Sequence, residues 1–512
     1  MVGVQGTSDP NPQLLDAMAM CGHLVARDSV HWFLAEHRQR LLPDEMFADL
    51  FGSGRGRPSV PADVVATVMV LQALEGLSDR DAVAQLRMNI AWKVAAGRPL
   101  HDEGFHSTVL TLWRNKLRVS ERPQRIFDAV REVIDATNVL AGKTRRALDS
   151  TVLDDAVTRQ DAIMQLVAQI RRVRRLIPTA KALTLVAHDY DNDPGKPVCA
   201  WNDRADIDRV VTELVNDAGT ILAALDGVEL DDVQAEAVGL LALVAGQDVE
   251  AGDEDGTWRI APVTRPDRIV SVVDPESRHV HKTTSNYRDG FKAHVGVEPD
   301  TGLITACELT AGNVGDAQAA PGLLADENAP VEVLADSAYG SGEFRAHLRE
   351  HGHSATIKPI PLHSQIPDGF TLDDFTIDLT AMTATCPNGI TVTISVRSRQ
   401  ARFTHRCDGC PLRQRCTRSA DGRILTVHEH HDLLAAARAH AHTPAFSEPY
   451  RQHRPMVERS IAWIVRHGGR KVRYRGTARN RIGLAHRCAA INLRRLINLG
   501  LDWNNDSWTL TT

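Results

Sequence analysis

Cysteine is scarce: eight residues in a chain of 512. That is too few for a disulfide scaffold and predicts a reducing, cytoplasmic setting. No run of about 18 apolar residues occurs, the length a membrane helix needs, and mean hydropathy is -0.24, so no membrane partner is expected. Residues 1–16 hold no Lys or Arg and no apolar segment of the signal-peptide kind, which predicts that the chain is not secreted. An excess of basic charge is also missing, since the formal net charge is -6, and taken alone this argues against a nucleic-acid partner. With 43% hydrophobic and 24% charged residues the chain is expected to be globular. At about 150 residues per domain it holds two to four domains.

The charge is distributed unevenly. Residues 226–255 carry ten acids and no Lys or Arg, whereas residues 450–500 carry thirteen Lys and Arg against the single acid Glu458. A local excess of that size is the electrostatic footprint of a polyanion partner. A solvated helix face is the plainer reading of a charge run, but thirteen against one exceeds its usual range.

Periodicity predicts helices over Gln13–Leu34, Pro61–Leu74, a segment after Ser78 continuing through Val83, Leu86 and Ile90, and His106–Leu117. Two helices about a turn at Gly76 fit a helix-turn-helix, although most such pairs merely pack. Residues 144–153 read as a strand containing Asp149. Residues 154–246 read as a helical insertion that ends in the acidic block. Strands are expected at Ile269–Asp274, Tyr287–Val297, Leu303–Leu309, Val331–Asp336 and Ala355–Ile360, with a hairpin turn at 298–302. Further helices are expected at His431–His442, Tyr450–Val465 and Arg479–Leu499.

An acid at the tip of an apolar strand needs neutralising, and a divalent cation does this well. Asp149 and Asp336 are placed so, and Glu458 lies on a basic helix. Three such acids suit two Mg²⁺ ions acting at phosphorus, although any one of them alone reads as a strand-end or capping residue. Cys386, Cys407, Cys410 and Cys416 cluster in a turn-rich segment. They suit a structural Zn²⁺ site; an iron–sulfur cluster uses the same ligands, and free loop thiols are the third reading. Cys21, Cys199, Cys307 and Cys488 are isolated and read as packing residues. The run His428–His431 reads as a solvated helix start.

Five stretches, Ala147–Leu153, Tyr287–His294, Leu309–Asp316, Leu334–Gly340 and Val457–Glu458, resemble the DDE transposases of bacterial insertion sequences. Pro58–Gly97 is similar to the N-terminal domain that accompanies them, and Arg475–Gly476 with Asn492–Leu493 to their C-terminal end. The resemblance implies an α/β fold with a ribonuclease H-like mixed-sheet core and Asp149, Asp336 and Glu458 as the metal-binding triad. It implies terminal inverted repeats and target DNA as partners, a dimer or larger synaptic complex, and a nucleoid-associated cytoplasmic location. The domains are then 1–140 (helical, DNA-binding), 141–153 with 260–364 and 445–500 (catalytic core), 154–259 (helical insertion) and 365–444 (Cys-rich insert and linker).

Tyr450, Arg454 and Glu458 follow at i, i+4 and i+8 and resemble the tyrosine, arginine, glutamate and lysine signature of one transposase branch. Here the Tyr–Arg spacing is one residue longer, and Val465 stands where the lysine is expected. The candidate DNA contacts are therefore Tyr450, Arg454, Arg466, Arg470, Lys471, Arg473 and Arg475, with Lys292 and Asn313 as possible neighbours of the acids. Two rival functions remain: a metal-dependent nuclease without strand transfer, and a transposase-derived DNA-binding protein without catalysis.

Overall fold

Residues 145–154 include Ala147, Leu148, Val152 and Leu153, which leave no polar face, and a strand of that kind is covered on both sides. In the computed structural model, which describes residues 4–9, 15–52, 56–263, 265, 267–283 and 286–511, this segment is the central strand β1 (Arg145–Asp154). The other strands of its sheet are β2 (Arg278–Thr283), β3 (Asn286–Val297), β4 (Ile304–Ala311), β5 (Glu332–Ala335) and β6 (Ser354–Ile357). β1 pairs antiparallel with β3 and parallel with β5, and β6 runs parallel beyond β5. β2 and β4 pair antiparallel with β3. The chain is thus a mixed α/β fold on a six-stranded mixed sheet.

The expected hairpin forms between β3 and β4. Glu298 accepts the N–H groups of Asp300 and Thr301 at 3.0 and 2.7 Å, and Gly302 takes a φ of +78° that closes the turn. The strand expected at Ile269–Asp274 does not form, while β2, which the sequence reading lacks, does. Ile269, Val270 and Val272 are buried, but side-chain amides satisfy their backbone in place of a ladder. Gln247 accepts the Ile269 N–H at 3.0 Å, Gln165 donates to the Ile269 carbonyl at 2.8 Å, and Gln160 accepts the Val272 N–H at 2.9 Å.

The N-terminal helices are α1 (Val30–Leu41), α2 (Ala62–Glu75), α3 (Asp79–Met88), α4 (Ile90–Ala95), α5 (Thr108–Val119) and α6 (Arg125–Ala136). Of the helix expected over Gln13–Leu34, Ala17–Cys21 and the start of α1 are α-helical and Gly22–Leu24 forms a 3-10 turn, and residues 13 and 14 lie outside the described residues. α2 is buried all round from Ala62 to Gln72, the mark of a core helix rather than an amphipathic surface one. Gly76 ends it with a φ of +69°, and Ser78 caps α3 by accepting the Asp81 N–H at 3.1 Å. The continuous face through Ile90 is interrupted. Asn89 accepts the Ala91 N–H at 2.9 Å and starts α4, because a short amide side chain competes with the helical backbone.

The insertion folds as α7 (Ala162–Leu176), α8 (Arg204–Ala224) and α9 (Asp232–Gln247), with a hydrophobic core of its own that includes Leu166, Ile170, Leu214, Ile221 and Leu241. α10 (Asp316–Leu323) and α11 (Gly342–Glu350) pack with Leu148, Val333 and Tyr339 against one face of the main sheet. The Cys-rich segment forms short strands around Phe375, Phe403, Leu425 and Val427. The chain continues through α12 (His431–Ala441), α13 (Pro444–His453), α14 (Pro455–Val465) and α15 (Thr477–Asn498). Instead of one helix over Tyr450–Val465 there are two, since Pro455 has no N–H to give and opens the next helix at its first position. One hydrophobic core joins α2, α6, α14 and α15 to the other face of the sheet, so the N-terminal helices and β1 share buried neighbours.

Candidate active site

The register of β1 and β5 brings two acids level. Ala147 pairs with Leu334; two residues further along each strand come Asp149 and Asp336. Side chains alternate along a strand, so both project to the same face, the one that α14 covers. Asp149 accepts the Ser150 N–H at 2.8 Å, and Asp336 ends its strand by accepting the Ala338 N–H at 2.9 Å.

Glu458 lies in the first turn of α14 and is exposed. Arg454, buried at the junction of α13 and α14, joins it to the sheet. Its Nη2 is 3.2 Å from Asp149 Oδ2 and its Nη1 is 3.6 Å from Glu458 Oε1. Burial raises the Asp149 carboxyl above its ordinary range; the Arg454 charge opposes this, and Asp336 adds to it. Tyr450 is raised chiefly by burial. Arg454 pulls it down while Asp336, Glu458 and Asp149 push it up.

Carboxylates on rigid strand ends are hard oxygen donors that suit Mg²⁺ or Mn²⁺. Arg454 is the cation that neutralises Asp149, and its buried Nε and Nη1 have no hydrogen-bond acceptor. Among the described residues no three His, Cys, Asp or Glu side chains are gathered closely enough to hold a metal ion. The donor chemistry fits a divalent cation, and Arg454 stands between Asp149 and Glu458.

The basic candidates divide into two groups. Arg470 donates to Thr151 Oγ1 at 2.7 Å and to the Val152 carbonyl at 3.0 Å, binding its loop to β1. Arg473 donates to the Gly76 and Leu77 carbonyls, and Arg454 bridges the acids. Arg466, Lys471 and Arg475 are exposed. Arg466 lies 5.0 Å over the Trp463 ring, which Arg494 also faces at 4.6 Å. Tyr450 stacks on Phe446 at 5.4 Å. Lys292 and Asn313 take other partners: Lys292 meets Asp316 at 3.0 Å and the Val314 carbonyl at 2.8 Å, and Asn313 meets Asp267 at 2.6 Å.

Cys386, Cys407, Cys410 and Cys416 line one cavity with Phe370, Phe375 and Phe403. Tight turns position them: Gly389 and Gly409 take φ values of +77° and +70°, Cys386 accepts the Gly389 N–H at 2.8 Å, and Cys407 accepts the Cys410 N–H at 3.3 Å through its carbonyl. The Arg423 N–H points at Cys407 Sγ at 3.5 Å. Burial raises the Cys416 thiol, and the other three cysteines add to this against Arg423. Cys307 and Cys488 are not isolated: a hydrogen bond between them, with burial, holds the Cys307 thiol well above its ordinary value. His428 meets Glu343 at 3.0 Å just ahead of α12.

Sequence reasoning missed Lys358, whose ammonium lies 4.8 Å over the Tyr450 ring. It also missed buried His294, 3.8 Å from Asp316. A lysine directly after an apolar strand and before Pro359 was the available signal for the first; nothing local marks the second.

Residues 385–497 match the family described as Transposase DDE domain, and residues 27–116 match the Transposase domain (DUF772). The first match includes the four clustered cysteines, Tyr450, Arg454 and Glu458; Asp149 and Asp336 lie outside both. No curated protein and no solved structure matches the chain.

Proposed function

We propose that this chain, which matches a Transposase DDE domain over residues 385–497 and a transposase domain over residues 27–116, is a DDE transposase of an insertion sequence that binds the terminal inverted repeats of its element and cuts and transfers their DNA strands. The single observation that carries this reading is the pair of level carboxylates, Asp149 and Asp336, on neighbouring parallel strands beneath the helix of Glu458. A mixed sheet with its acids so placed supports a ribonuclease H-like core, built from 141–153, 260–364 and 445–500.

Asp149, Asp336 and Glu458 would hold the two divalent ions, which supply an activated nucleophile and stabilise the leaving oxygen. In the first step water attacks the phosphodiester at the element's end in line, and the 3′ oxygen leaves with a proton. In the second that 3′-OH attacks a target phosphate, and the target's own 3′ oxygen leaves. No covalent enzyme intermediate is required, so this chain's residues act by positioning and charge. With its hold on Asp149 taken over by a bound cation, Arg454 would be free to meet substrate phosphate. Exposed Arg466, Lys471 and Arg475 take backbone phosphates, and contacts of that kind position the DNA without reading its sequence. The N-terminal helices of 1–140 bind the ends, copies of the chain pair in the synaptic complex, and the four cysteines hold a structural Zn²⁺.

Cleavage and strand transfer on DNA carrying the gene's own flanking ends, with Mg²⁺ or Mn²⁺, tests this. Wild type is expected to give metal-dependent nicks and joined products. Asp149→Asn, Asp336→Asn and Glu458→Gln are expected to lose both while still binding ends. Nicks without joined products would make the chain a nuclease; binding without cleavage by wild type would make it a DNA-binding protein.

A further inference from the structure

The parallel register that aligns Asp149 with Asp336 continues one strand further. Ile357 of β6 pairs with Ala335 of β5, so the next residues, Lys358 and Asp336, are neighbours. The Lys358 N–H donates to the Ala335 carbonyl at 3.1 Å, which extends the ladder to this position. Pro359 follows, and a residue before proline is held in extended conformation. Asp149, Asp336 and Lys358 therefore stand in a row on one face of three adjacent strands, with neighbouring strands about 4.8 Å apart.

Lys358 is exposed, and its ammonium sits 4.8 Å from the centre of the Tyr450 ring. Among the described residues it pairs with no carboxylate, although Asp336 is its register neighbour. A cation over a ring face is held by the ring's charge distribution, while its N–H donors remain free for an anion. Phe446, stacked behind Tyr450, steadies the platform. Tyr450 lies one helical turn before Arg454, which meets both Asp149 and Glu458. The register thus sets this cation, which no carboxylate pairs among the described residues, on the strand next to that of Asp336.

We propose that Lys358 binds a phosphodiester oxygen of the DNA strand in the cleft, beside Asp336, and that Tyr450 holds the ammonium in place. This rests on the reading of the site as a DNA-cleaving one. Charge that develops on the phosphoryl oxygens is then met by a fixed cation on the sheet, whose preorganisation is what makes such a contact effective. Asp336 supplies the metal side of the same phosphate, and Lys358 supplies the other.

The test compares wild type, Lys358→Ala, Lys358→Arg and Tyr450→Phe. Binding to a duplex of the gene's flanking end is measured over a salt series, and single-turnover cleavage is measured with Mn²⁺. Lys358→Ala is expected to flatten the slope of log affinity against log salt by about 1, one phosphate contact. Its cleavage rate should fall about 100-fold, the scale for losing one preorganised donor. Lys358→Arg is expected to restore the slope, and Tyr450→Phe to keep it, since the ring face remains. A wild-type slope in Lys358→Ala overturns the proposal. A flattened slope with unchanged cleavage removes Lys358 from the reacting phosphate and equally overturns it. If wild type binds but never cleaves, the transposase reading fails, and the salt slope still decides whether Lys358 touches phosphate.

Discussion

Arg454 joins Asp149 and Glu458, two acids that the proposed chemistry brings together, and it does so from a buried position. Removing one partner of a buried pair typically costs about 3 kcal/mol, because the other charge is left without compensation. Arg454→Met is therefore expected to lower unfolding stability by about that amount in urea. Saturating Mn²⁺ should then raise the melting temperature of the variant more than that of wild type, since the cation fills the role the guanidinium had. An equal gain in both proteins would show that Arg454 and the ion do not compete. A second residue-scale effect comes from two buried imidazoles. Burial pushes His294 down to about 4, against the opposing charge of Asp316, and His486 down to about 3, with Arg114 adding to the effect. Both are neutral when folded, whereas the unfolded chain takes up these protons near pH 6.5. Their contribution is complete above that pH and is lost as pH falls below it, by about 1.4 kcal/mol per pH unit for each histidine. Urea midpoints at pH 7, 6 and 5 read this directly. His486→Leu, which replaces a ring whose Nε2 has no partner, should remove about half the slope.

Between elements, the turn after α2 is where the N-terminal helices meet the C-terminal basic segment. Gly76 sits at a φ of +69°, and a Cβ there would lie 2.3 Å from the His467 carbonyl oxygen. Arg473 grips the same turn through the Gly76 and Leu77 carbonyls. Gly76→Ala is expected to destabilise the protein by at least about 1 kcal/mol from the backbone conformation alone, with the clash adding to it. A variant as stable as wild type in thermal melts would mean that this contact is loose. Helix ends were readable at this scale, because Gly76 and Ser78 act locally through φ and a cap. The break at Pro455 was equally visible as a residue, yet the periodic pattern runs across it and hides the boundary. At Ile269–Asp274 the apolar run was read as a strand; Ile269, Val270 and Val272 are indeed buried, but no strand forms. Burial and β-branched residues do not say whether a neighbouring strand or a glutamine amide meets the backbone.

At the scale of the molecule, the insertion leaves the sheet and returns to it almost at one point. Ser277 donates to Asp155 at 2.7 Å, bridging its two ends, and its helices enclose their own core. Replacing residues 158–272, which takes out the insertion's helices together with the segment of Ile269 and Val272 that packs into their core, by a short Gly-Ser bridge should therefore leave a cooperative thermal transition and retained end binding. An insoluble product would show that the core depends on the insertion. The Cys-rich segment gives a second test: purified protein is expected to carry one zinc per chain by elemental analysis, lost in Cys410→Ser together with part of the thermal stability. Metal-free wild type of unchanged stability would leave the cysteines as ordinary thiols. The cysteine cluster and the basic C-terminal run could be read along the chain, because charge and ligand chemistry belong to residue types, whereas the choice of Asp149, Asp336 and Glu458 as a triad came from the resemblance to DDE transposases. The strands that carry Asp149 and Asp336 were also readable from their apolar patterning. That Arg454 bridges two acids, that Arg470 and Arg473 hold the chain to itself, and that Lys358 falls in line with the carboxylates came only with the packed sheet. Register and helix docking join residues such as Arg470 and Thr151, 319 positions apart, and local pattern carries no record of which neighbour a side chain will meet.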